Sequence, residues 1–229
     1  MHGGNQIRVT VEICTITAWE VLFDRLETAR AVPGAAPALL IIGGAGGVGS
    51  IAIQLARTLT MLEVIATASR QETRDWVSKM GAHRVIDHSQ PLAKQISELG
   101  LSAPAFVFST AQTSQHLSEI ATLIAPEGRF ALIDDPPSVG ISAFKRKSVS
   151  VHWESLFTRT LFQTADMEEQ GKLLTKVAGL VDQGAIRTTM TKRFSPINAE
   201  NLNRAHAEIE KGSMIGKLVL ENFDHSSRA

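Results

Sequence analysis

Hydrophobic positions along the chain switch repeatedly between two periods. Short apolar runs at 39–42, 64–68, 85–88, 105–109 and 128–134 have the length and composition of strands covered on both faces of a parallel sheet. Between them lie amphipathic stretches. Val48, Ile51, Ala52, Leu55, Ala56 and Leu59 recur at helical spacing, Trp76, Val77 and Met80 form one face of 72–80 before Gly81, and 92–99 and 116–124 repeat the pattern. The alternation predicts an α/β fold, a doubly wound parallel sheet. An alternating run at 148–152 supplies a sixth strand, which as a sheet edge invites pairing and predicts a homodimer joined there. Ahead of the sheet, 7–13 reads as a half-exposed strand and 17–23 as a helix with Thr17 as N-cap. Behind it, an amphipathic helix from Met167 to Val181, an extended run at 186–194, a helix at 199–211 and a strand at 216–220 fall outside the alternation. They form a second, incomplete unit.

The first strand runs straight into Gly43-Gly44-Ala45-Gly46-Gly47-Val48-Gly49. Residues 44–49 fit G-x-G-x-x-G, whose glycines allow a tight turn, close approach of backbone to a pyrophosphate and close packing of helix on strand. The helix that follows points free N–H groups at such an anion. Gly44, Ala45, Gly46, Gly47, Val48 and Gly49 are therefore candidate dinucleotide-binding residues, the alternative being a purely structural bend.

The second strand ends at Ser69-Arg70, where the adenosine ribose of a dinucleotide would sit. A carboxylate there selects NAD, whereas an arginine accommodates the 2′-phosphate of NADP. With the acid absent, Ser69 and Arg70 read as a phosphate clamp and Arg74 as a reserve contact; solvated surface arginines are the alternative. Glu63 lies at the wrong end of the strand to serve the ribose. His88, at the end of the third strand, is either a contact to adenine or the 2′-phosphate or a solvated edge histidine. Thr110 and Ile133, at the ends of the fourth and fifth strands, stand where the nicotinamide half belongs, or fill core and surface.

Composition narrows the classes further. With 229 residues, 44% hydrophobic and 20% charged, the chain can bury a full core. Its 23 basic and 23 acidic residues cancel, so bulk charge draws neither nucleic acid nor an anionic membrane. One cysteine, Cys14, excludes an internal disulfide and a cysteine-rich zinc lobe, and no signal segment is visible; a cytoplasmic location is the expectation. Lys145-Arg146-Lys147 is too short for an anion site and reads as a solvated turn.

The chain resembles the medium-chain dehydrogenase/reductase superfamily, specifically its quinone oxidoreductase branch with the zinc-type alcohol dehydrogenase-like proteins. The resemblance is carried by Thr17-Ala18-Trp19-Glu20, the glycines of 43–49, Ala68-Ser69-Arg70, Met80-Gly81-Ala82, Val85-Ile86-Asp87-His88, Ala125-Pro126-Glu127-Gly128, His152-Trp153-Glu154 and Ile215-Gly216-Lys217-Leu218-Val219-Leu220. It implies a Rossmann fold, NADP(H) as cofactor, reduction of a quinone, enone or related carbonyl compound, and dimers through the last sheet strand. It also implies a division into a non-family or remnant stretch at 1–12, an NADP-binding domain at 13–187, a returning segment of the catalytic domain at 188–223 and a tail at 224–229. Relatives begin with a GroES-like catalytic domain, of which at most a remnant is expected here, so catalytic residues stay unassigned, no metal site is expected, and a non-catalytic NADPH-binding module is the alternative function. In relatives a Leu-Thr pair stands where this chain has Ile13-Cys14, which removes a hydroxyl near the nicotinamide.

Overall fold

The computed structural model describes residues 12–223. Six parallel strands form one sheet in the order β3-β2-β1-β4-β5-β6: β1 (Ala36–Ile42), β2 (Glu63–Thr67), β3 (Arg84–Ile86), β4 (Pro104–Ser109), β5 (Arg129–Leu132) and β6 (Ser150–Trp153). This is the doubly wound Rossmann arrangement. Central β1 shows why its sequence carries no polar alternation: Leu39 and Ile41 pack into one core cluster, and Leu40 and Ile42 into the other. Each of these side chains leaves water almost completely, worth about 1.5–3 kcal/mol apiece.

Helices α1 (Glu12–Trp19), α2 (Gly47–Leu59) and α3 (Gln71–Met80) contribute to the first cluster, and α4 (Leu92–Glu98) and α5 (Thr113–Leu123) to the second. Gly81 ends α3 in the left-handed region at φ 110°, as a helix-terminating glycine should. After β6 come a short α6 (Thr158–Leu161) and the long α7 (Glu169–Asp182), then β7 (Met190–Phe194), α8 (Ala199–Glu210) and β8 (Lys217–Leu220). Strands β7 and β8 pair in parallel as a separate two-stranded sheet.

Several sequence expectations are corrected. Ile13 belongs to α1 and not to a strand, while the rest of the 7–13 reading falls mostly outside the described residues. Thr17 is no N-cap; it lies inside α1 and its hydroxyl donates to the Ile13 carbonyl at 3.1 Å. Helix α1 runs on as a π-helical segment, Glu20–Arg25, which apolar spacing alone does not announce. Residues Ile141–Lys147 form a 3₁₀ helix, and Lys147 is not merely solvated: its ammonium donates to the Thr122 and Ile124 carbonyls at 2.6 and 2.7 Å. A cation here satisfies carbonyls that the end of α5 leaves without partners.

The π-helical segment and α6 meet in a buried charge cluster. Arg159 pairs with Glu20, and with Asp24 and Asp166 at 3.0 Å each. Beside it Glu154 follows β6, with Arg25 Nε 2.8 Å from its Oε2. Burial, with the adjacent Glu20 carboxyl, pushes Glu154 up to about 8 against the pull of Arg25. A carboxyl raised on folding favours the native state below its unfolded value of 4.5, and that contribution is lost as the pH climbs towards 8. Comparing the stabilities of wild type and Glu154→Gln at pH 5 and pH 8 is expected to show the wild type losing about 3 kcal/mol more than the variant over that range. Equal slopes would assign the pH response to other groups.

Candidate functional site

A doubly wound sheet leaves a crevice at the carboxyl ends of the strands on either side of the point where the strand order reverses. Here that point lies between β1 and β4. A cleft of about 560 Å³ opens there, walled by Gly43 and Ala45–Val48 after β1, Thr67–Arg70 at the end of β2, His88 beyond β3, Thr110–Gln112 beyond β4, Gly212–Met214 and Lys217 from the C-terminal unit, and Cys14 from α1.

The glycine turn is held from behind. Gly43 N–H donates to Thr67 Oγ1 at 3.1 Å, and Thr110 Oγ1 donates to the Ile42 carbonyl at 2.9 Å. Ser50 Oγ lies 3.5 and 3.4 Å from the Gly44 and Ala45 carbonyls and accepts from the Trp76 indole N–H at 2.8 Å. The turn's carbonyls are thus drawn inward. No side chain caps the N-terminus of α2, so its first N–H groups remain available to an anion.

The glycines divide by what a methyl would meet. At Gly49 it would stand 2.4 Å from the Gly43 carbonyl oxygen and 2.8 Å from Gly44 Cα, and at Gly44 2.9 Å from Ala66 Cβ. These two are required for packing and do not line the cleft. At Gly46 it would meet nothing nearer than 3.6 Å, and at Gly47 it would strike Lys217 Cδ at 2.6 Å and Cys14 Sγ at 3.1 Å. Gly46 therefore leaves open space at the turn, the shape a diphosphate needs, while Gly47 makes room for the Lys217 stem and the Cys14 sulfur.

At the end of β2, Ser69 and Arg70 line the cleft. The Arg70 guanidinium is 45% exposed and holds Glu72 at 2.6 Å and the Ser213 carbonyl at 2.8 Å. An exposed ion pair of this kind is worth under about 1 kcal/mol, so a phosphate dianion can replace Glu72. Arg74 is not a reserve clamp; its guanidinium is spent on the Ala68 and Val85 carbonyls at 3.2 and 3.5 Å. Glu63 faces away, bound to Arg84 at 3.0 Å. His88 lines the cleft with a buried Nδ1 that has no protein partner, its ring edge-on to His116 at 6.3 Å. Burial, and then the His88 ring, lower the His116 pKa, which keeps that imidazole neutral near pH 7. Thr110 lines the cleft, whereas Ile133 packs against the core and does not.

Sequence reasoning passes over one residue close to Thr110 and one segment from afar in the chain. Gln112, in the left-handed region at φ 55°, lines the cleft at the start of α5. The 212–217 segment lies more than 160 residues beyond the turn it touches. Its one legible signal is Gly216, whose φ of 58° and a methyl position 2.1 Å from the Thr189 carbonyl permit only glycine. Asp134, expected only to end a strand, accepts from Thr113 N–H at 2.9 Å and caps α5.

Residues 47–174 match the zinc-binding dehydrogenase family. A zinc-type alcohol dehydrogenase-like protein of Staphylococcus aureus (strain MSSA476) is 36% identical over 214 residues, covering 93% of this chain and 64% of its own length. Human quinone oxidoreductase is 26% identical over 192 residues, covering 81% of this chain and 55% of that protein. Among solved structures, a zinc-dependent alcohol dehydrogenase protein from Rhizobium etli CFN 42 superimposes with a TM-score of 0.92 at 62% identity, over 93% of this chain and 62% of that one. Mycobacterial Rv1454c, solved in complex with NADPH, superimposes with a TM-score of 0.75 at 25% identity, over 94% of this chain and 64% of that one. The chain therefore spans somewhat under two thirds of the length of these relatives. Among the described residues no group of three or more His, Cys, Asp or Glu is placed to hold a metal ion, and no helix is long and apolar enough to cross a membrane.

Proposed function

Because the chain belongs to the zinc-type alcohol dehydrogenase-like family of medium-chain dehydrogenases, we propose that its cleft binds NADP(H) and that the protein is an oxidoreductase acting on a quinone, an enone or a related carbonyl compound. Gly46, Gly47 and the N-terminus of α2 receive the diphosphate, Ser69 and Arg70 the 2′-phosphate, His88 the adenosine end, and Thr110 the nicotinamide half. Ile133 supports that last region from the core. The reduced nicotinamide supplies the hydride; the chain's own task is to bind and orient it. Residues 13–187 act as the cofactor domain and 188–223 as the segment returning towards a catalytic unit.

The observation carrying the cofactor choice is the end of β2, where Ser69 and Arg70 face the cleft and Glu63 is turned away to Arg84. NADPH is expected to bind tighter than NADH, and Arg70→Ala to cost about tenfold in NADPH affinity, as for a partly exposed charge-assisted contact, with NADH unaffected. Calorimetric titration of both nucleotides checks this; equal losses on the two, or none, would overturn the assignment.

The groups that line the cleft, among them Gly46, Gly47, Ser69 and Arg70, serve to hold a dinucleotide whether or not it reacts, and so support a second reading beside the first: a non-catalytic NADPH-binding module. Incubation with NADPH and a panel of quinones and enals decides between them, turnover favouring the enzyme and binding without oxidation of the nicotinamide favouring the module. The open edge of β6, with Trp153 55% exposed on it, supports a homodimer joined strand to strand, to be checked by sedimentation. A single buried free thiol fits a reducing, cytoplasmic setting.

A further inference from the structure

We infer that Glu72 is a specificity-determining residue: its carboxylate holds Arg70 in the place of a ligand phosphate, so that a 2′-phosphorylated dinucleotide must displace it. The preference for NADPH over NADH is thereby held below what Arg70 alone would give. The inference rests on the dinucleotide reading above.

Arg70 stands on the wall between two hollows. One is the cofactor cleft; the other, of about 510 Å³, opens between α3 and the C-terminal unit, and Arg70, Ser213 and Met214 line both. Glu72 lines the outer hollow and not the cleft, in the company of Asp75, Trp76 and Lys79. The Arg70 guanidinium is drawn to it, Nη1 donating to Glu72 Oε1 at 2.6 Å while Nη2 donates to the Ser213 carbonyl at 2.8 Å. The other acids of the outer hollow have partners of their own, Asp75 in Gln71 and Glu208 in Lys192 and Lys211.

The backbone beneath the pair is fixed. Arg70 is the N-cap of α3; its N–H donates to Thr73 Oγ1 at 3.1 Å, and the buried Thr73 hydroxyl donates back to the Arg70 carbonyl at 2.7 Å. Exchange of carboxylate for phosphate is therefore a side-chain movement. Glu72 lies in the first turn of α3 and keeps the favourable field of the helix N-terminus with or without Arg70, so the ion pair is what a phosphate must overcome. Both side chains of that pair are exposed, which makes it worth about threefold in a binding constant. That is enough to shift a cofactor preference and too little to exclude a phosphate dianion, which forms the stronger charge-assisted contact with a guanidinium.

The test is calorimetric titration of wild type, Glu72→Gln, Arg70→Ala and the double variant with NADPH and NADH. Glu72→Gln is expected to bind NADPH about threefold tighter than wild type, with NADH affinity the same. In the Arg70→Ala background the same change is expected to alter neither affinity, because the two residues act through one contact. Unchanged or weaker NADPH binding by Glu72→Gln, an equal gain for NADH, or a gain that persists without Arg70 overturns the inference while leaving the dinucleotide reading intact. Absence of binding to the wild type overturns both. Should Glu72→Gln fold poorly, unchanged NADPH affinity in a folded Glu72→Ala would be equally contrary.

Discussion

Gly46→Ala is expected to leave the protein folded, with stability changed by less than about 1 kcal/mol, and to weaken dinucleotide binding by about 100-fold or more. The methyl meets only the Gly43 carbonyl oxygen at 3.6 Å, an ordinary contact, the N-cap φ of −71° is open to alanine, and alanine is a poorer N-cap than glycine by about 0.5–1 kcal/mol. It stands, however, in the cradle where the diphosphate must touch backbone. Gly49→Ala, three residues on, is expected to act in the opposite manner. Its methyl would lie 2.4 Å from one backbone atom and 2.8 Å from another, so turn and helix must separate, at about 3 kcal/mol, the upper end of ordinary overpacking. Thermal melts and calorimetric titration of both variants separate a ligand glycine from a packing glycine. Normal binding by a folded Gly46→Ala would remove the diphosphate from this turn.

Arg159→Ala is expected to destabilise the fold by about 3 kcal/mol, the lower end of the range for breaking a buried ion pair, which is roughly 6–12 °C in melting temperature for a chain of this length. Arg159 is 12% exposed and Glu20 1%. Removing the guanidinium leaves Glu20 a buried carboxylate held by Gln170 Nε2 at 3.0 Å and by the neighbouring Glu154 carboxyl, and frees Asp24 and Asp166, whose exposed pairs count for little. Glu20→Gln in the same chain should restore part of the loss by removing the stranded charge. A loss under about 1 kcal/mol in Arg159→Ala would mean that Glu20 finds water.

The sheet was legible because its strands are buried on both faces, so Leu39–Ile42 and Ala105–Ser109 carry unbroken apolar runs, and the glycine turn because its spacing is local. What escaped was set by distant contacts. The π-helical stretch at 20–25 takes its shape beside Arg159, more than 130 residues away, and Arg74 is consumed by carbonyls that only the folded sheet brings to it. Lys147 looked solvated because the α5 carbonyls it caps lie more than twenty residues earlier. Ile133 was aimed at the ligand by its strand position, yet the pleat turns it to the core. The cleft's far wall, Gly212–Lys217, could not be seen from a motif confined to residues 44–49.

The most direct test of the account is a calorimetric titration of the folded wild-type protein with NADPH, accompanied by its melting curve. The account predicts one nucleotide bound per chain and, at about 100 times the dissociation constant, a gain near 2.7 kcal/mol that raises the melting temperature. No heat and no melting shift with either NADPH or NADH at millimolar concentration would contradict it.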